Sequence, residues 1–342
     1  MHFWKWIIAL APIIASTGMA PARAQSVEEF YRGKTISFIV SSAAGGSYDL
    51  MSRTIARYLP RHLPGGPTIA VRNQPGAGGI VAANALFSTA ARDGSVIGGL
   101  QGNVPFEPML GVKEATFDPR KFNWLGSPSV ETCVLTVWTE SGRHSLSDMR
   151  AKEMTVASTG ANSNPSVSAR LINELFRTKM RPVVGYTGMA NSMLAIERRE
   201  VDGHACILWA AIKSLRPTWV EEKKIIPMLQ WGAIKEPALP QTPFAMDLLT
   251  DEQDRLLLEA ASAPLALGRP FLLPPGVPQD RVAAMQKAFM EIFANPEFND
   301  EVVKQQLEVN SPRSGAEVLA LIERVYGMPI DVVTRLQRLA IQ

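Results

Sequence analysis

Ile36-Ser-Phe-Ile-Val-Ser-Ser-Ala-Ala-Gly-Gly-Ser-Tyr-Asp49 decides the architecture. Ile36, Phe38, Ile39 and Val40 form a short apolar run that reads as a buried strand. Small residues from Ser41 to Gly46 then turn the chain, and Ser47 or Asp49 opens a helix. Met51, Ile55, Tyr58 and Leu59 are spaced to share one face of that helix, and Arg53, Arg57 and Arg61 read as its solvated stripe. A strand, a small-residue loop and a helix start form an anion site, because free N–H groups and the helix dipole both face the loop. The stretch therefore predicts a cradle for a small carboxylate.

Two further units repeat the pattern. Residues 68–72 read as a strand, followed by Asn73-Gln-Pro-Gly-Ala-Gly-Gly79 and a helix over 80–91. A strand over 95–100 leads into Gln101-Gly-Asn-Val-Pro105. A second series has strands at 133–138, 154–158, 181–185, 201–209 and 225–231, with the loops Thr159-Gly-Ala-Asn-Ser-Asn164 and Tyr186-Thr-Gly-Met-Ala-Asn191. Alternating strands and helices predict an α/β protein with parallel sheets, whose ligands bind at the C-terminal strand edge. Lys235-Glu-Pro-Ala-Leu-Pro-Gln-Thr-Pro243 reads as a crossing or linker, 264–271 as extended, and three helices close the chain.

Residues 1–24 read as a secretion signal. Lys5 precedes the apolar run 7–15, and Ala22-Arg-Ala24 is a small-x-small cleavage site. The run is too short to span a bilayer, which takes about 20 residues. Losing Lys5 and Arg23 would lower the formal charge from +3 to +1. Near-neutrality argues against nucleic-acid or acidic-membrane partners. Both cysteines, Cys133 and Cys206, fall in strand-like runs and read either as a disulfide or as two buried thiols.

Catalytic and cofactor motifs find no support. There is no Gly-x-Gly-x-x-Gly, P-loop or Gly-x-Ser-x-Gly elbow, and His62, His144 and His204 lack metal-ligand spacing. His204 reads as a buried histidine or a ligand contact, and Trp209 as core or an apolar pocket wall. No catalytic residue, metal or cofactor is expected.

The chain resembles the extracytoplasmic solute receptors of tripartite tricarboxylate transporters, the Bug family. The first stretch and Asn73–Gly79 carry the likeness, together with Glu200-Val-Asp-Gly203, Gly268-Arg-Pro-Phe-Leu-Leu-Pro-Pro-Gly-Val-Pro278 and Asn295-Pro-Glu-Phe298. Ala43-Ala44 departs from the prolines frequent before Gly-Gly in that family. The resemblance implies a two-lobed periplasmic-binding-protein architecture, with Rossmann-like lobes, two crossing segments and a ligand cleft between the lobes. It divides the chain into 25–128 in the first lobe, 129–238 in the second, and 239–342 returning to the first.

With the resemblance and the residue reading taken together, the expected ligand contacts are Ser42, Ala44, Gly45, Gly46, Ser47, Asp49, Gly78, Gly79 and Asn103 in the first lobe. Facing them are Ser158, Thr159, Gly160, Asn164, Tyr186, Thr187 and Trp209. Asp49 also reads as a support for the helix start, since facing the pocket it would repel a carboxylate. The expected protein is a periplasmic monomer that passes a small organic carboxylate to large and small membrane transporter subunits. A receptor feeding a signalling protein is the alternative, and an exported α/β hydrolase is a more distant one.

Overall fold

A computed structural model describes residues 25–341. The signal segment read over 1–24 lies outside them. Among the described residues no helix is long and apolar enough to cross a membrane.

The chain folds into two α/β lobes, each built on one sheet. The first sheet contains β1 (Thr35–Val40), β2 (Thr68–Asn73), β3 (Val96–Gly99) and β4 (Asn123–Ser127). The second holds β5 (Thr132–Trp138), β6 (Met154–Ala157), β7 (Met180–Val183), β8 (Gly203–Leu208) and β9 (Ile225–Gly232). The chain then returns to the first sheet with β10 (Phe271–Leu273) and β11 (Arg313–Ser314). Strand orders are β11-β4-β10-β3-β1-β2 and β7-β6-β8-β5-β9.

β1 pairs in parallel with β2 and β3, which aims three loops at one edge. Ile36, Phe38 and Val40 are buried, and helix Ser47–His62 covers them with Met51, Ile55 and Leu59, each at most 1% exposed. Burying such a side chain is worth about 1.5–3 kcal/mol, so the face predicted from spacing fixes the helix on the sheet. Arg53, Arg57 and Arg61 lie on its other side and pair with Asp49, Glu301 and Glu297.

Neither sheet is wholly parallel, contrary to the sequence expectation. β10 runs antiparallel between β3 and β4, and β5 runs antiparallel to β8 and β9. An apolar run marks a strand without its direction, which is set by where the chain re-enters the sheet. Residues 264–267 are helical instead of extended, because helix Glu252–Leu267 continues through Pro264. Proline there removes one ladder hydrogen bond, but Leu257, Leu258, Ala263, Leu265 and Leu267 bury along the whole length. Leu257, Leu258 and Leu265 join the second lobe's core, and Ala263 and Leu267 join the first lobe's. This helix, not 235–243, carries the chain between lobes.

Residues 239–342 do not all return to the first lobe. Ala245 and Leu249 pack in the second lobe's core, as do Val332, Leu336 and Leu339 of the last helix, Ile330–Ile341. Helix Gly315–Tyr326 packs on the first lobe through Val318, Ile322 and Val325. The chain thus crosses three times, at 128–131, within Glu252–Leu267 and at 327–329, where two crossings were expected.

The first two crossings are fastened side by side. The Ser127 hydroxyl donates to the Leu267 carbonyl at 2.6 Å, and the Glu131 N–H donates to the Leu265 carbonyl at 2.8 Å. Gly268 has φ +55°, and a Cβ there would stand 2.1 Å from the Ser129 carbonyl oxygen. Only glycine permits that approach.

Candidate functional site

Two neighbouring cavities with shared wall residues lie where the lobes meet. The larger, about 640 Å³, is lined by Tyr48, Gly102, Asn103, Phe106 and Glu107 of the first lobe and by Asn164, Val167, Leu171 and Trp231 of the second. The smaller, about 260 Å³, lies in the second lobe against Thr159, Asn164, Ser192, His204 and Cys206. Glu131, Asn164 and Leu265 line both.

At the waist, Arg269 reaches Glu131 at 3.2 Å and donates to the Ser129 hydroxyl at 3.0 Å. Its guanidinium lies 5.5 Å from the centre of the Tyr48 ring. Tyr48 donates to the Gly268 carbonyl at 3.3 Å and accepts the Gly102 N–H at 3.4 Å. Burial, reinforced by Glu131, pushes the Tyr48 phenol up to about 12, so it stays a neutral donor. Burial likewise raises the Glu131 carboxyl, against the pull of Arg269, and raises that of Glu107, against the hydrogen bond from Asn103.

Of the first-lobe candidates, Asn103 lines the larger cavity, its amide donating to Glu107 at 2.8 Å. Ser42, Ala44, Gly45, Gly46 and Ser47 form the loop beside it, at the same sheet edge, but line neither cavity. Gly45 takes φ +84° with open space around it, whereas Gly46 sits at φ −82° as the helix N-cap and needs no special freedom. Asp49 faces inward and is 2% exposed. It accepts from the Gly45 N–H and the Asn73 amide at 2.9 Å each, and from Arg53 at 3.0 Å. Burial pushes its carboxyl up, but these donors outweigh that and hold it below the ordinary range. Asp49 is thus the loop's internal fastening. Gly78 and Gly79 buttress the edge: the Gly78 carbonyl accepts from Gln101 at 3.1 Å, and Gly79 packs on Ser41 and Val104.

In the second lobe, Thr159 lines the smaller cavity and Asn164 lines both. Ser158 is fully buried, and its hydroxyl bonds Ser163, Ser166 and the Gly160 carbonyl. That serine knot shapes the loop from within. Tyr186 is half-buried against the core that contains Trp209, which is 5% exposed and lines neither cavity. Thr187 is exposed and accepts from Asn191. Cys133 and Cys206 form a disulfide with Cα atoms 4.8 Å apart.

Sequence reading did not single out Tyr48, Gly102, Glu131, Ser192 or Arg269. Tyr48 sits between flagged residues, and Glu131 is an acid placed directly before an apolar run; these were the available signals. His204, left open in the sequence, is 1% exposed and lines the smaller cavity. The Cys206 N–H donates to its Nδ1 at 3.2 Å, which places the ring proton on Nε2.

Burial holds the His204 pKa at about 4, against an ordinary 6.5. A depressed pKa means the fold binds the neutral ring, so this stability is complete above about pH 6.5 and drains away as pH falls towards 4. Between pH 7 and pH 4.5 the wild type is expected to lose about 2–3 kcal/mol more than His204→Gln in urea unfolding. Equal losses would refute the assignment.

Among the described residues, no group of three or more His, Cys, Asp or Glu side chains is placed to hold a metal ion.

Two α/β lobes meet around a cleft whose wall mixes polar and apolar side chains. No protein-family model matches the chain. It is 24% identical over 315 residues to the UPF0065 protein in the gbd 5' region of Cupriavidus necator, covering 89% of each chain. It is 34% identical over 92 residues to protein BugT of Bordetella pertussis, covering 27% of this chain and 26% of that one. In fold it matches a TctC solute-binding protein from Polaromonas, at TM-score 0.71 and 17% identity over 90% of this chain and 98% of that one. MatC from Rhodopseudomonas palustris, solved with bound malate, matches at TM-score 0.59 and 20% identity over 90% and 99%. In sequence and fold the chain is similar to Bug and TctC proteins.

Proposed function

We propose that this protein is an exported receptor that closes its lobes on a small organic carboxylate, without altering it, and delivers it to a tripartite tricarboxylate-type transporter. The observation that carries this reading is the cleft, a cavity of about 640 Å³ between lobes joined by closely fastened crossings. Pockets of about 300–1,000 Å³ suit small molecules. Tyr48, in the first turn of helix Ser47–His62, lines this wall with Asn103, and the first N–H groups of that helix have no partner within it. Such donors accept a carboxylate without a counter-cation. The malate in MatC is consistent with this chemistry.

Hydrolysis fits the cleft less well. His204 takes a backbone N–H on Nδ1, where a catalytic base would carry an orienting carboxylate. In this reading the receptor works as a monomer in the periplasm, and its membrane partners are one large and one small transporter subunit.

Ligand that binds only the native state stabilises it by about 2.7 kcal/mol at a concentration 100 times Kd. Residues 25–342, screened against mono-, di- and aromatic carboxylates, are expected to melt several degrees higher with at least one class and to turn none of them over. No shift across the whole panel would remove the carboxylate assignment.

A further inference from the structure

The smaller cavity sets several neutral polar side chains into a largely apolar wall. His204 is fixed with its proton on Nε2, and among the described residues no hydrogen bond engages that nitrogen. Ser192, 1% exposed, lines the same cavity, and its buried hydroxyl has no partner. Asn164 spends its carbonyl oxygen on the Ser168 hydroxyl at 2.9 Å, which leaves its NH₂ to donate. Thr159 adds a hydroxyl. These four residues come from the 158–164 loop and the helix it starts, from helix Met189–Glu197 and from β8.

No Lys or Arg lines this cavity, and its one carboxyl side chain is Glu131. Arg269 pairs with Glu131 but lines neither cavity. A carboxylate entering here would meet the Glu131 carboxyl with no cationic side chain on the cavity wall. Unpaired buried charge is far more costly than a buried group that stays neutral and hydrogen-bonded. A carboxamide, ketone or hydroxyl would instead satisfy His204 Nε2–H and its neighbours.

We propose that this cavity is a subsite for an uncharged hydrogen-bonding group, so that the ligand is a monocarboxylate with a polar neutral far end and not a dicarboxylate. The inference rests on the carboxylate-receptor reading above and narrows its substrate class.

Matched pairs test it. Succinate against succinamate, glutarate against glutaramate, and adipate against adipamate would be titrated calorimetrically into residues 25–342 at pH 7.5. At least one half-amide is expected to bind tenfold or more tightly than its diacid. His204→Phe and, independently, Ser192→Ala should weaken the half-amide by more than the diacid, and Glu131→Gln should narrow the gap. Having two subsite variants keeps the test open if one fails to fold. Equal or tighter binding of every diacid overturns the subsite while leaving the carboxylate reading intact. So does binding confined to acids that lack a polar neutral end. No binding by any carboxylate overturns both.

Discussion

Replacing Arg269 with Met is expected to destabilise the protein by about 3–5 kcal/mol, the usual cost of removing one partner from a buried ion pair. The Arg269 and Glu131 side chains are only 10% and 18% exposed. Without the guanidinium, the Glu131 carboxylate stays at the waist with no counter-charge, and the Ser129 hydroxyl loses its donor. The damage falls on the segments that join the lobes, because Ser129 and Glu131 belong to the first crossing and Arg269 follows the second. The double variant Arg269→Met, Glu131→Gln should recover at least half of the loss, since it removes the stranded charge. Urea unfolding of the three proteins measures this; a single-variant cost below about 1 kcal/mol would mean that the pair is solvated.

Removing the disulfide is the second large effect. Cys133→Ala with Cys206→Ala is expected to cost about 2–5 kcal/mol, the range for a native bridge closing a long loop. The bridge joins residues 73 apart, and it ties β5 to β8 beside a register shift between Val134 and Thr136. It also anchors the residue whose N–H fixes the His204 ring. The double variant should therefore lower the melting temperature and also weaken ligand binding, whereas loss of an unconnected bridge would lower only the first. An unchanged melting temperature would contradict the account.

The parts of the fold legible in the sequence are those where local chemistry and burial agree. Ile36 to Leu59 carries its strand, turn and helix in apolar spacing and small residues, and each forms there. Strand direction was not legible, because Cys133–Trp138 is buried on both sides and reads the same whichever way it runs. Pro264 misled for a different reason: tertiary burial of Leu265 and Leu267 outweighed a local helix breaker. Around the cleft, loop composition pointed to the sheet edges that flank the cavities but could not aim side chains. Asp49 and Ser158 turn inward to hold their loops, and Trp209 is core. Tyr48 and Arg269, 221 residues apart, meet only because the chain crosses between lobes and returns.

The central claim is that the cleft itself holds a carboxylate. Asn164 lines both cavities and is exposed, so Asn164→Trp would fill their junction with little strain on the core. The strongest carboxylate from the melting screen should be titrated calorimetrically into wild type and into this variant. One-to-one binding by the wild type is predicted, with affinity lost by at least a hundredfold in an Asn164→Trp protein whose ligand-free melting temperature is unchanged. Equal affinity in the two proteins would place the ligand elsewhere and contradict the account.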